Sequence, residues 1–311
     1  MVDRTAQAES ESVRQTFEKE FGKIEIPVLP AAVSRLLAEI NSDEPDTGRL
    51  EKIISSEPQI CAKILRTVNS SHFALRSQVK TIRHAIAMLG LNRVRSIGLS
   101  YAMFDAVKPP KNKLFNHEAF WTDTLLRALM ARCITRRTRP GAEEEAFTAM
   151  MLADISIPVL LTAWEEKYLP VFAKWQGNIM ELAQLERHDV GWDHAQASAW
   201  ILHKWEFPEA LVCAAGAHNM DAGQLRASGF GETLAVQVMC ASHLPSSLRP
   251  SRGRMRNMIR VMRKELGLTT KEWPDIHREI RDSFDAICKE FELNGQLAAK
   301  VLEVLEELVG E

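Results

Sequence analysis

The chain has 311 residues, with 39 Lys and Arg against 41 Asp and Glu and a formal net charge of -2. Hydrophobic residues make up 46% of it, enough to fill one large core or two small ones, which excludes global disorder. The near-neutral balance argues against coating nucleic acid by bulk charge and leaves only a local patch for such a role.

Cys61, Cys133, Cys213, Cys240 and Cys288 are widely spaced and form no C-x-x-C pair. Neither a disulfide framework nor a zinc knuckle is expected, and a reducing, cytoplasmic setting fits. The N-terminus lacks the apolar run of a signal peptide. No stretch is read as approaching the ~18 apolar residues that span a bilayer.

Only 15 glycines, and long apolar patterns of period 3.6, predict helices throughout, so the fold class is all-α and multi-helical. The best strand candidate, Ile24-Glu25-Ile26, is cut by Pro27. In chain order, a charged helix over 11–22 carries Val13, Phe17 and Phe21 and ends at Gly22. After Pro27 and Pro30, a helix presents Val33, Leu36, Leu37 and Ile40 on one face and stops in the polar cluster at 41–46. A short helix with Leu50, Ile53 and Ile54 follows. Ser56 is then expected as the N-cap of a helix with Pro58 in its first turn and Ile60, Ile64, Leu65 and Val68 on its buried face. Asn69-Ser70-Ser71-His72-Phe73 breaks that helix. Thr81 caps the next, which carries Ile82, Ala85, Ile86 and Leu89, with Gly90 at its C-terminal stop. Asn92 opens another, and Lys108-Pro109-Pro110-Lys111 marks a boundary. All seven tryptophans lie beyond residue 120. Helices are predicted over 117–137, 143–163, 178–187, 194–205 and 208–217. A helical region from about 232 closes with Leu297, Val301, Val304, Leu305 and Leu308.

Several of these segments carry a family likeness. Leu29-Pro30, Ile53-Ile54 with Glu57-Pro58, Ile64-Leu65 through Asn69-Ser70 to Phe73, and Ala85-Ile86 with Leu89-Gly90 stand in one order and spacing. Phe120-Trp121, the apolar run over 147–161, Asp193-His194-Ala195, Trp205-Glu206-Phe207-Pro208 and His218-Asn219 follow. Over about 24–220 the sequence resembles the HDOD family, the HD-related output domain of bacterial signalling proteins. The resemblance implies an N-terminal helical bundle packed on a degenerate HD-phosphohydrolase-like core. It divides the chain into an N-terminal helix at 1–23, the module at 24–220 (lobes 24–110 and 111–220), and a helical extension at 221–311 packed on the core.

HD enzymes hydrolyse phosphate esters with one or two metal ions, held by several His and Asp side chains that converge on one cavity. The run Met151-Leu152-Ala153-Asp154 corresponds to the His-Asp pair that names them, and Ala153 has no ligand atom. Asp123 stands where another His is expected after Phe120-Trp121, and no late Asp is found near Cys240-Ala241-Ser242. Asp154 lies in an apolar run that reads as one buried helix, where a carboxylate needs hydrogen bonds or a charge partner. Asp193 is a plausible N-cap, with His194 in the first turn. The expectation is a scaffold without catalytic residues, cofactor or metal. Asp123, Asp154, His194 and His218 form the vestigial pocket, and would be the ligands if a metal were bound.

No phosphate loop, Rossmann fingerprint or nucleophile elbow is present. Asn69 and Ser70 read as a capping turn or as a docking surface. From Glu232 to Glu265 no acidic residue occurs, while Arg256, Arg260, Arg263 and Lys264 share one helical face beside Met255, Ile259, Met262 and Leu266. That face is either a solvated surface or a site for an acidic partner or anionic ligand. The leading functional reading is a non-catalytic regulatory protein, a pseudoenzyme that acts through another signalling or regulatory protein, with no membrane contact and nucleic acid disfavoured. The alternatives are a divergent metal-dependent phosphohydrolase acting on a nucleotide or phosphodiester, and a nucleotide-sensing module built on the basic helix.

Overall fold

The computed structural model describes residues 26–42, 44, 46–70, 78–176 and 181–310, and among them all regular structure is helical. The helix expected over 11–22 lies outside the described residues. The N-terminal lobe holds α1 (Ala31–Ile40), α2 (Thr47–Ser55), α3 (Pro58–Val68), α4 (Ile82–Leu89) and α5 (Leu91–Ala106). Each has a local cause. Asp46 caps α2 by accepting from the Arg49 amide, and Thr81 caps α4 by accepting from the His84 amide. Pro58 occupies the first position of α3, where a missing N–H removes no helical bond. Ser56 does not cap α3 as expected. With Pro58 fixing the first turn, Glu57 takes the flanking position, and Ser56 closes α2 by donating its hydroxyl to the Ile53 carbonyl at 2.7 Å.

The core holds α6 (His117–Thr138), α7 (Glu143–Ala153), α8 (Ser156–Ala163), α9 (Glu165–Gln176), α10 (Leu182–Val190), α11 (His194–Lys204) and α12 (Glu209–Gly216). The C-terminal part adds α13 (Ala222–Ala227), α14 (Ala235–Ser242), α15 (Arg252–Leu266), α16 (Trp273–Ile287), a 3-10 turn (Cys288–Phe291) and α17 (Gly295–Gly310). Helix α6 is the hub, packed by α7, α14, α16 and α17. One apolar cluster runs from Val33 through Trp121 and Trp273 to Leu305, so the N-terminal lobe, core and C-terminal helices share a single interior. A smaller cluster of Ile157, Leu160, Tyr168, Phe172, Leu182 and Trp192 packs α8, α9 and α10 together.

Three expectations are corrected. The helix read over 143–163 is two helices, broken at Asp154. Pro158 has no N–H to give the Asp154 carbonyl, which accepts instead from Ile157 at 3.0 Å, one residue tighter than in an α-helix. This segment, Glu143–Ala163, also meets the length and apolarity of a membrane span, contrary to the sequence reading, but it lies buried in the core. The helix read over 178–187 runs instead as α10, and α9 precedes it unforeseen because Pro170 lies inside it.

Gly90 joins α4 to α5 at φ 84 and ψ 156, a region that essentially only glycine occupies. Gly191, at φ 81 and ψ 0, ends α10 in the left-handed region that Asn also tolerates. Neither position would crowd an added Cβ, so any cost of substitution is backbone strain. Gly90→Ala and Gly90→Asn should each lower stability by roughly 1–3 kcal/mol in urea denaturation. Gly191→Asn should be milder than Gly191→Ala. Equal tolerance of Asn at the two positions would contradict the assignment.

Candidate functional site

The site is assembled from the ends of helices. The break between α7 and α8 presents Asp154, which is 6% exposed. The Asp193 carboxylate caps α11 in a reciprocal box with Gln196, as expected, and so sets His194 at the first helical position. The left-handed turn at Gly191 brings α10 back beside that position, so the Glu186 carboxylate accepts both from the His194 amide at 2.8 Å and from its Nδ1 at 2.6 Å. His218 follows α12 and donates Nδ1–H to the Ala215 carbonyl at 2.7 Å.

These elements bring three of the four candidate side chains together. Asp154 Oδ1 lies 3.1 Å from His218 Nε2 and 3.4 Å from His194 Nε2, and the two Nε2 atoms lie 3.3 Å apart. Asp123 is not in this group. Its Oδ1 accepts from the Ser247 amide at 2.7 Å, although it lines the same cavity. Arg127 approaches the other side of Asp154, with a guanidinium nitrogen 3.0 Å from Oδ2, and donates Nε–H to the Leu244 carbonyl at 3.0 Å. Asn219 Nδ2 lies 3.1 Å from His194 Nε2.

Burial alone would lower the His194 pKa, but the Glu186 and Asp154 carboxylates outweigh it and hold it well above the ordinary imidazole value. Burial alone would raise Asp154. Hydrogen bonds from His194 and His218, with the Arg127 charge, outweigh that and hold it well below the usual carboxylate range. Tyr168 donates its hydroxyl to Glu186, and burial beside that carboxylate pushes the phenol well above its usual value. Burial likewise raises Asp123, against the pull of Arg127 and the Ser246 and Ser247 donors. The field around Asp154 therefore favours positive charge between it and the two imidazoles.

Glu186, Tyr168 and Arg127 were not foreseen. Glu186 had a legible signal: an acid on the same helical face as Leu182, one turn on from it, where a buried charge requires a partner. Arg127 stands one helical turn from Asp123 on α6 but shows its role only once α7 is in place.

All three residues of the triad line a cavity of about 400 Å³. Phe115, Phe120, Phe172 and Trp175 are among its lining residues, as are Arg127, Arg254 and Arg249, whose guanidinium lies 5.2 Å over the Trp175 ring. Leu114 and Leu248, also among its lining residues, are two of the four large apolar side chains exposed among the described residues.

The other candidates are surface features. Asn69 clamps the end of α3: its Nδ2 donates to the Leu65 carbonyl at 2.8 Å and the Val79 carbonyl at 2.7 Å, and its Oδ1 accepts from the Val79 amide at 2.8 Å. Ser70 follows it, half-buried, and Ser71 onward to 77 lies outside the described residues. Arg256, Arg260, Arg263 and Lys264 are exposed along α15, whose Met255, Met258 and Met262 are buried. Local partners engage parts of this helix: Arg254 pairs with Glu181 at 2.8 Å, Arg260 donates to Asn257 at 2.6 Å, and Lys264 pairs with Glu265 at 3.2 Å.

The HD-type enzymes that the fold resembles hold metal through several such side chains, so the fit can be judged from the donors present. Asp154, His194 and His218 offer three ligand atoms close enough to share one ion. Ala153 offers none, Asp123 is turned to Ser247, and Arg127 occupies the second oxygen of Asp154. The residues fit one cation and not two.

Residues 26–220 match the HDOD domain family. The fold is similar to an HDOD domain protein of unknown function from Geobacter sulfurreducens, at 17% identity and a TM-score of 0.70, covering 89% of this chain and 99% of that one. It is also similar to a candidate phosphohydrolase from Shewanella amazonensis SB2B, at 21% identity and a TM-score of 0.67, covering 84% and 95% of the two chains. In sequence, the uncharacterized protein YuxH of Bacillus subtilis is 27% identical over 103 residues, which are 33% of this chain and 24% of that relative. The chain thus spans about a quarter of the length of the curated relative it matches.

Glu186→Ala leaves Tyr168, the His194 ring and the His194 amide without their shared acceptor, and should cost about 3–5 kcal/mol in chemical denaturation. Tyr168→Phe removes one donor to a carboxylate that keeps its other partners, and should cost only about 1–2 kcal/mol. Equal losses would show that Glu186 is not the acceptor that joins them.

Proposed function

The chain belongs to the HDOD family, and from that premise we propose that it is a non-catalytic regulatory protein that acts through contact with another signalling protein. The observation that carries this reading is the Arg127 guanidinium, 3.0 Å from Asp154 Oδ2. In a two-metal hydrolase the shared carboxylate gives both oxygens to cations that activate water and neutralise the phosphoryl oxygens. Here one of those oxygens serves a permanently charged side chain. Ala153 next to it supplies no ligand, and Asp123 Oδ1 is engaged by the Ser247 amide. The remaining scaffold keeps the shape of a hydrolase core without the ligand set of a two-metal centre.

The test is turnover. Purified chain incubated with Mg²⁺, Mn²⁺ or Fe²⁺ and either a chromogenic phosphodiester or a cyclic dinucleotide should release product no faster than Asp154→Asn. Hydrolysis that depends on Asp154 would overturn the regulatory reading in favour of a divergent phosphohydrolase. Crosslinking in the native cell should join the chain to a defined protein, and Asp154→Asn should leave the catalytic assay unchanged at background.

A further inference from the structure

Among the described residues, Asp154, His194 and His218 form the one group of three side chains whose ligand atoms converge as a metal requires. The outer nitrogen of each imidazole is already committed. His194 Nδ1 faces the Glu186 carboxylate at 2.6 Å, and His218 Nδ1 faces the Ala215 carbonyl at 2.7 Å. A neutral imidazole that donates from Nδ1 carries its lone pair on Nε2. Both Nε2 atoms therefore face the same space as Asp154 Oδ1, and present lone pairs to it when deprotonated. This is also how ligating histidines are oriented, by a carboxylate or a carbonyl on the far nitrogen. A proton on Nε2 serves the hydrogen bond to Asp154, and a divalent cation that replaces such protons meets three ligand atoms facing one space.

The spacing fits a particular class of cation. Bonds of about 2.0–2.2 Å to a metal in tetrahedral or octahedral geometry place neighbouring donor atoms about 3.0–3.5 Å apart. The three edges here are 3.1, 3.3 and 3.4 Å. Two imidazoles and one carboxylate suit zinc, cobalt(II), nickel or iron(II) better than magnesium or calcium, which prefer all-oxygen sites.

We propose that Asp154 Oδ1, His194 Nε2 and His218 Nε2 form a mononuclear site for a divalent transition cation, with the Arg127 guanidinium as the site's second, fixed positive charge. All three ligands line the cavity, so the ion has a path of entry and its remaining coordination positions face that space. Arg127 is anchored by the Leu244 carbonyl on one side and Asp154 Oδ2 on the other, where a second ion would have to bind. The inference deepens the regulatory reading by naming what the vestigial core binds, and rests on that reading only for the ion's role.

The full chain, stripped with chelator and titrated with Co²⁺, should bind one equivalent, read from visible ligand-field absorption and from elemental analysis after desalting. Zn²⁺ should displace the Co²⁺ signal, and excess Mg²⁺ should not. His218→Gln and Asp154→Asn should weaken binding at least 100-fold. Glu186→Gln should weaken it about 10–100-fold by releasing the orientation of His194. Arg127→Ala, verified as folded by circular dichroism, should bind the first ion several-fold more tightly or take up a second equivalent. Failure of the wild-type chain to hold one equivalent, or undiminished binding by His218→Gln and Asp154→Asn together, overturns the site. Unchanged or weaker binding by folded Arg127→Ala overturns the role given to the guanidinium. Stoichiometric binding without phosphodiester turnover supports both the site and the regulatory reading. Binding with Asp154-dependent turnover supports the site while removing that reading.

Discussion

A buried carboxylate governs the arrangement of this core. Asp154 sits at a helix break that is almost entirely shielded from water, where an unpartnered charge would be strongly destabilising. Its partners come from three directions: Arg127 from α6, His194 from the start of α11 and His218 from the end of α12. Each partner is then held by something else. Glu186 and Tyr168 fix His194, the Ala215 carbonyl fixes His218, and the Leu244 carbonyl fixes Arg127. The break itself is stitched to α11, because the Ser156 hydroxyl donates to the His194 carbonyl at 2.7 Å and the Ser156 amide donates to Ser198 Oγ at 3.1 Å. Removing one charge from such a network leaves others exposed to the low dielectric, so its members are expected to act as a unit.

The C-terminal helices belong to this arrangement and are not an appendage. The chain between α14 and α15 supplies the Leu244 carbonyl to Arg127 and the Ser247 amide to Asp123. The Ser242 hydroxyl donates to the His218 carbonyl at 2.9 Å. Helices α16 and α17 pack on the hub helix through Trp273, Phe284, Val301 and Leu305, within the same apolar cluster as the N-terminal lobe. The triad and its anchors are therefore in direct hydrogen-bonded contact with the segment that follows the family domain.

Much of the fold was legible because it is written in local chemistry. Apolar residues at helical spacing, Thr81 and Asp193 at N-caps and Gly90 at a helix stop depend on neighbours within a turn or two. What failed depended on the absence of an atom or on distant partners. Pro158 breaks the apolar run at Asp154 by withholding one N–H, while Pro170 is accommodated inside α9 against the usual rule. Asp154 stands out in the sequence as a carboxylate in an apolar run, His194 and His218 through the family resemblance, and the structure joins the three. Asp123 belonged to the same expectation by resemblance, but its partner, the Ser247 amide, is 124 positions away in sequence and no local pattern announces it. Glu186 was hidden for the opposite reason: it looks like one of many charged helix residues until the face it shares with Leu182 is recognised.

The cost of keeping such a network bears on why it persists. Replacing a buried ionic group by apolar residues of similar volume is often neutral or stabilising, so the charges are a poor way to make a core merely stable. They do define a point where α6, the α7–α8 break, α10, α11 and α12 must agree on position to within hydrogen-bonding distance. With Ala153 beside it offering no ligand atom, Asp154 together with His194, His218 and Glu186 forms the part of the interior that aligns helices. Such an interior is sensitive to the charge at its centre in a way that an apolar core of the same volume would not be. The exposed Leu114 and Leu248 line the same cavity as the triad, so the charged centre and an apolar stretch of surface share one space.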